Sequence, residues 1–67
     1  METNNWGRRI RAFRKLKGYT QEGFAKAIGV SVSVLGEIER GSREPDDHLI
    51  DRMTTVLQVS RNEMSYK

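Results

Sequence analysis

The 67-residue sequence contains no cysteine, one histidine and one proline. Without cysteine there are no disulfides, no thiolate metal ligands and no cysteine nucleophile. A single histidine, His48, cannot build a metal site without carboxylate help. No apolar run approaches the roughly 20 residues of a membrane-spanning helix. The opening residues "METNN" carry no apolar core of the kind a secretory signal needs, so the expected location is the cytoplasm. No nucleophile–base pair and no glycine-rich phosphate loop after a strand is suggested. The expectation is a chain that is not an enzyme and has no cofactor and no metal.

What is present is positive charge, unevenly placed. The chain carries 12 Lys and Arg against 9 Asp and Glu, a formal net charge of +3. Residues 1–17 hold six basic residues and one acidic residue, while the rest of the chain is close to balanced. The excess is therefore one segment, "GRRIRAFRKLK". Such a stripe is an electrostatic footprint for nucleic acid or another anionic surface, or else a solvated helix face.

The stretch "GVSVSVLGEIERG", residues 29–41, alternates apolar and polar residues from Val30 to Val34 in the manner of a half-buried strand. Its surroundings favour a helix instead. Gly18, Gly29 and Gly41 each follow a segment with helical spacing, where a left-handed cap belongs. Thr20, Ser31 and Ser60 stand at N-cap positions. Pro45, Asp46 and Asp47 open a further helix with acids in its first turn. Hydrophobic staples pair Tyr19 with Phe24, Val30 with Leu35 and Val59 with Met64, and Glu63 completes a capping box with Ser60. Ser31 thus caps a helix, Val30 lies outside it, and Val32 points outward from its first turn.

The resulting expectation is all-α: five helices near 5–17, 21–28, 32–40, 46–57 and 61–65, forming a single domain over 1–67 with a core spanning 6–64. The inward residues are Trp6, Ile10, Phe13 and Leu16 in the first helix and Phe24, Ala25 and Ile28 in the second. Leu35 and Ile38 follow in the third, Leu49, Ile50, Met53, Val56 and Leu57 in the fourth, and Met64 in the last. The second and third helices, 21–40, are joined by a few residues around Gly29. A steep crossing there needs a small residue at the contact, Ala25, and a turn that tolerates a left-handed backbone, Gly29.

These residues carry a resemblance. "TQEGFAKAIGVSVSVLGEIERGSREP" looks like the helix-turn-helix of the Xre/Cro family, the lambda-repressor-like DNA-binding domains. The flanks "IRAFRKLKGYTQ" and "LIDRMTTVLQVSRNEM" are similar to that family's neighbouring helices, so the likeness covers about residues 6–64. It implies a compact five-helix lambda-repressor-like domain. The implied function is a sequence-specific double-stranded DNA-binding transcriptional regulator of repressor type. Helix 32–40 would lie in the major groove, and a homodimer would bind paired half-sites.

By position, the resemblance implies phosphate contacts for Gln21, Ser31, Arg40, Ser42 and Arg43, and base contacts for Val32, Ser33 and Glu37. Val32 suits a thymine methyl, Ser33 several bases, and Glu37 a cytosine amine. Glu37 could instead pair with Arg40. Arg14 and Glu39 match a structural ion pair bridging the first and third helices. Arg8, Arg11 and Lys15 then share a face and supply long-range attraction. Three positions depart from the family pattern: Gly23, Gly36 on the face turned to DNA, and the negative Glu37. A chain this short either pairs through its last helix, with Met64 and Tyr66 as contacts, or is the DNA-binding part of a longer protein with a C-terminal regulatory domain. The alternative reading is a protein-interaction module of the same fold, such as an antitoxin or a regulator acting through a protein partner.

Overall fold

The computed structural model describes residues 6–64 and contains, in order, α1 (Trp6–Leu16), α2 (Gln21–Ile28), α3 (Val32–Arg40), α4 (Asp47–Leu57) and α5 (Arg61–Met64). Every regular element among the described residues is a helix, as expected. The strand-like alternation at Val30–Val34 resolves into an N-cap and the first turn of α3.

The helix starts are written in side-chain chemistry. The first N–H groups of a helix have no partner within it, and a short polar side chain supplies one. Thr20 Oγ1 accepts from Gly23 N at 3.0 Å, and Ser31 Oγ accepts from Val34 N at 3.1 Å. Asp46 Oδ1 accepts from Leu49 N at 2.8 Å, so Asp46 caps α4 rather than belonging to it. At α5 the capping box is complete. Ser60 N donates to Glu63 Oε1 at 2.8 Å, and Glu63 N donates to Ser60 Oγ at 3.1 Å. The expected staple at α2 is formed, with the Tyr19 and Phe24 rings 5.6 Å apart.

The ends are equally local. Gly29 closes α2 at φ 80° and Gly41 closes α3 at φ 86°. The fourth helix ends at Leu57 as expected, but without a glycine: Gln58 takes the left-handed position at φ 59°.

The core is a single cluster drawn from all five helices. Ile10, Phe24, Ile28, Leu35, Ile38, Met53, Leu57 and Met64 are fully buried, joined by Ala25 and Ile50. Met64 therefore faces inward and offers nothing to a partner subunit. Tyr66, the other expected dimer contact, lies outside the described residues. Arg61 braces α5 against α4 through Asp47 at 2.6 Å and Asp51 at 3.3 Å.

One expected core residue is misplaced. Leu16 is 74% exposed. An α-helix turns about 100° per residue, so Leu16 sits about 240° around α1 from Ile10. The inward stripe of α1 is Gly7, Ile10 and Arg14, all buried. Gly7 is where α1 crosses α3. A side-chain carbon at that position would collide with the Ile38 carbonyl oxygen and lie 2.6 Å from that of Glu39. Only a residue without a Cβ permits this approach.

Candidate nucleic-acid interface

The crossing of α1 on α3 sets the site. Arg14 projects from α1 toward the last turn of α3 and meets Glu39 in a two-pronged pair. Its Nε donates to Oε2 at 2.7 Å and its Nη2 to Oε1 at 3.2 Å. Arg14 Nη1 also donates to the Tyr19 carbonyl at 3.0 Å, which fixes the turn leading into α2. The two side chains are 9% and 5% exposed. A buried pair holds only when its remaining polar atoms are satisfied. No buried side-chain polar atom among the described residues lacks a partner. The expected structural ion pair is therefore present.

Glu39 has a third donor. Gln21, first residue of α2, donates Nε2 to Glu39 Oε1 at 3.2 Å. An amide nitrogen carries two hydrogens, so a second one is left for a ligand. The pair thus aims Gln21 as well as joining helices. Around Gln21 lies a polar concavity of about 210 Å³, lined by Arg11, Arg14, Gln21, Gly36, Glu39 and Arg40. It combines the positive end of α2, a side-chain amide and the guanidinium groups of Arg11 and Arg40, which suits an anion.

Two features of this concavity depart from expectation. Gly36 is buried, and a side-chain carbon on it would lie 3.2 Å from Arg40 Nη1 and 3.8 Å from Gln21 Nε2. The missing side chain makes room for these two groups and does not open backbone to bases. Arg11, expected only as diffuse charge, is brought beside Gln21 and Arg40. A sequence signal for it existed: Arg11 stands three residues before Arg14 and so shares its face of α1.

Along α3, Val32 is 40% exposed, and Ser33 and Arg40 are exposed. Ser31 accepts the cap hydrogen bond yet keeps its own hydroxyl hydrogen for donation. Ser42 differs: its hydroxyl donates to the Glu37 carbonyl at 3.2 Å, and its backbone N–H to the same oxygen at 2.9 Å. Ser42 is thus engaged in closing α3. Glu37 pairs with Arg43 at 2.6 Å, where pairing with Arg40 was the considered alternative.

Away from this face, Arg52 Nη1 donates to the Ile28 carbonyl at 3.2 Å and holds the turn at Gly29. His48 is exposed. Among the described residues no cluster of metal-ligating side chains exists, and no helix is long and apolar enough to cross a membrane.

The model of the helix-turn-helix family matches residues 10–64. The chain belongs to the Xre/Cro-like helix-turn-helix family. The uncharacterized HTH-type transcriptional regulator YazB of Bacillus subtilis is 65% identical over 65 residues, spanning 97% of this chain and 94% of that protein. The solution structure of the P22 c2 repressor DNA-binding domain superposes with a TM-score of 0.87 at 33% identity, over 96% of this chain and 84% of that one. The crystal structure of SinR, the master regulator for biofilm formation, in complex with DNA superposes at 0.82 with 35% identity, over 88% of this chain and 95% of that one. The fold is thus the lambda-repressor-like one that the resemblance implied. Over its full length SinR of Bacillus subtilis is longer, and the match spans half of it.

Proposed function

We propose that the chain is a single-domain, sequence-specific regulator of transcription of repressor type, acting in the cytoplasm on double-stranded DNA. The observation that carries this reading is the concavity at Gln21. A neutral donor and two guanidinium groups converge at a helix N-terminus, directly beside the exposed edge of α3. A phosphate seated there sets register, and side chains of α3 reach the base edges. The helix-turn-helix relative SinR, a transcriptional regulator solved in complex with DNA, supports the same reading.

In this reading Gln21, Arg11 and Arg40 hold one stretch of backbone, with the Ser31 hydroxyl alongside. Val32 packs against a thymine methyl, Ser33 bonds to base edges, and Glu37 accepts from a cytosine amine. Ser42 runs beside the neighbouring phosphate. A homodimer places two copies of α3 on half-sites about one helical turn apart.

The test is selection from a randomised duplex pool at moderate salt with the purified chain. An enriched inverted repeat with half-sites about ten base pairs apart is the expected result. Gln21→Ala should weaken all sequences alike, and Ser33→Ala should change which sequence is preferred. Retention without any motif refutes sequence-specific regulation by the chain alone. No retention refutes DNA binding and leaves α3 as a surface for a protein partner.

A further inference from the structure

Glu37 is an awkward residue for a helix that approaches DNA, since a carboxylate there faces phosphates of its own sign. The structure shows how its charge is balanced. After Gly41 the chain turns sharply, held by the Ser42 N–H and Ser42 hydroxyl, both donating to the Glu37 carbonyl. That turn brings Arg43 back over the last turns of α3, where its Nε donates to Glu37 Oε1 at 2.6 Å. The backbone of Glu37 thus positions the residue that its own side chain binds. The contact spans six residues and belongs to no helical neighbour rule.

Only one edge of each partner is used. Among the described residues Arg43 makes this hydrogen bond and no other, so both terminal nitrogens of its half-exposed guanidinium keep their hydrogens for a ligand. Glu37 keeps Oε2. The side chains are 52% and 38% exposed, so the pair is reachable yet not dispersed in solvent. It presents a fork of donors beside an acceptor, with no net charge. In the major groove a G·C pair presents the complement: the guanine N7 and O6 acceptors beside the cytosine N4 donor.

Building on the DNA-binding reading above, we propose that Arg43 and Glu37 act as one unit that reads a G·C base pair in each half-site. Arg43 donates to guanine N7 and O6. Glu37 holds the guanidinium in plane through Oε1 and accepts from the cytosine amine through Oε2. Arg43 is then a specificity residue rather than a phosphate contact, and Glu37 is chiefly its positioning residue.

The test is pool selection followed by affinity measurements on the enriched operator and on its G·C-to-A·T variant. The proteins are the parent chain, Glu37→Gln, Arg43→Lys, Arg43→Ala and the double variant Glu37→Gln/Arg43→Ala. Arg43→Lys keeps the charge and loses the fork. For the parent we expect a preference for G·C of roughly 5- to 150-fold, the range of one good bidentate contact. Each single variant should lose that preference while preferences at other positions stay. The double variant should lose no more than either single one, because the two residues form one contact. Losses that add in the double variant overturn the proposal. So does equal weakening of all sequences by Arg43→Ala with a shallower salt dependence, the mark of a phosphate contact. Stronger binding of all sequences by Glu37→Gln also overturns it, since Glu37 then only repels DNA. An enriched operator without a G·C position dependent on Arg43 defeats this proposal alone. Absence of any retained duplex defeats the DNA-binding reading with it.

Discussion

Two glycine-to-alanine substitutions should move stability in opposite directions. Gly7 and Gly36 are both buried within helices, and helix propensity alone favours alanine at either position by about 0.5–1 kcal/mol. At Gly36 the new carbon meets the tip of the Arg40 side chain at 3.2 Å, which can swing away at little cost. Gly36→Ala should therefore stabilise the fold by about 0.5 kcal/mol while displacing Arg40 from the concavity. At Gly7 the new carbon meets backbone of α3, with the Glu39 oxygen at 2.6 Å against the 3.4 Å where ordinary contact begins. A carbonyl inside a helix cannot rotate aside, so α1 and α3 must part by roughly 1 Å, and overpacking of that kind costs about 1–3 kcal/mol. A domain of this length holds about 3–10 kcal/mol in total, so Gly7→Ala removes a large share of it. At about 2 kcal/mol the melting temperature falls by about 8–16 °C. Urea titration followed by far-ultraviolet circular dichroism reads both variants against the parent. A Gly7→Ala protein with the parent's midpoint would show that α1 does not seat on α3 at this point.

Glu39→Leu should cost about 3–5 kcal/mol, because it leaves Arg14 buried without its carboxylate, and Arg14→Met/Glu39→Leu should recover most of the loss. Equal midpoints for the single and double variants would refute an unpaired charge as the cause. Gln58→Gly should stabilise the fold by about 0.5–1 kcal/mol, seen as a higher urea midpoint at unchanged slope, since glycine takes φ 59° without the side-chain penalty. No gain there would mean that the Gln58 side chain offsets its own backbone cost.

The features legible in the sequence were the ones with local causes. Thr20, Ser31 and Ser60 cap helices through partners three residues away, and Tyr19 meets Phe24 across a single turn, so short spacing was enough to find them. The Arg14–Glu39 pair, 25 residues apart, was reached through the family resemblance alone. Leu16 is apolar yet lies off the inward stripe of α1, where its place belongs to Arg14, a charge neutralised by a residue on another helix and so invisible to apolar spacing. Gly7 carries no local signal, since close approach of two helices is a property of three dimensions. Arg43 reaching Glu37 depends on a turn whose direction is set by hydrogen bonds to one carbonyl.

The lock of Arg14, Glu39 and Gln21 also divides the molecule into parts with different freedom to change. Those three residues tie α1, α2 and α3 together, so altering them disturbs the fold and the anion site at once. Val32, Ser33 and Arg43 are exposed and outside the core cluster. Substitutions at such positions typically shift stability by no more than about 0.5 kcal/mol. A chain built this way can exchange one target for another in single steps while every intermediate still folds. On the proposed DNA-binding reading, the scaffold that would hold the phosphate stays constant, and the lettering on its outer edge is free to be rewritten.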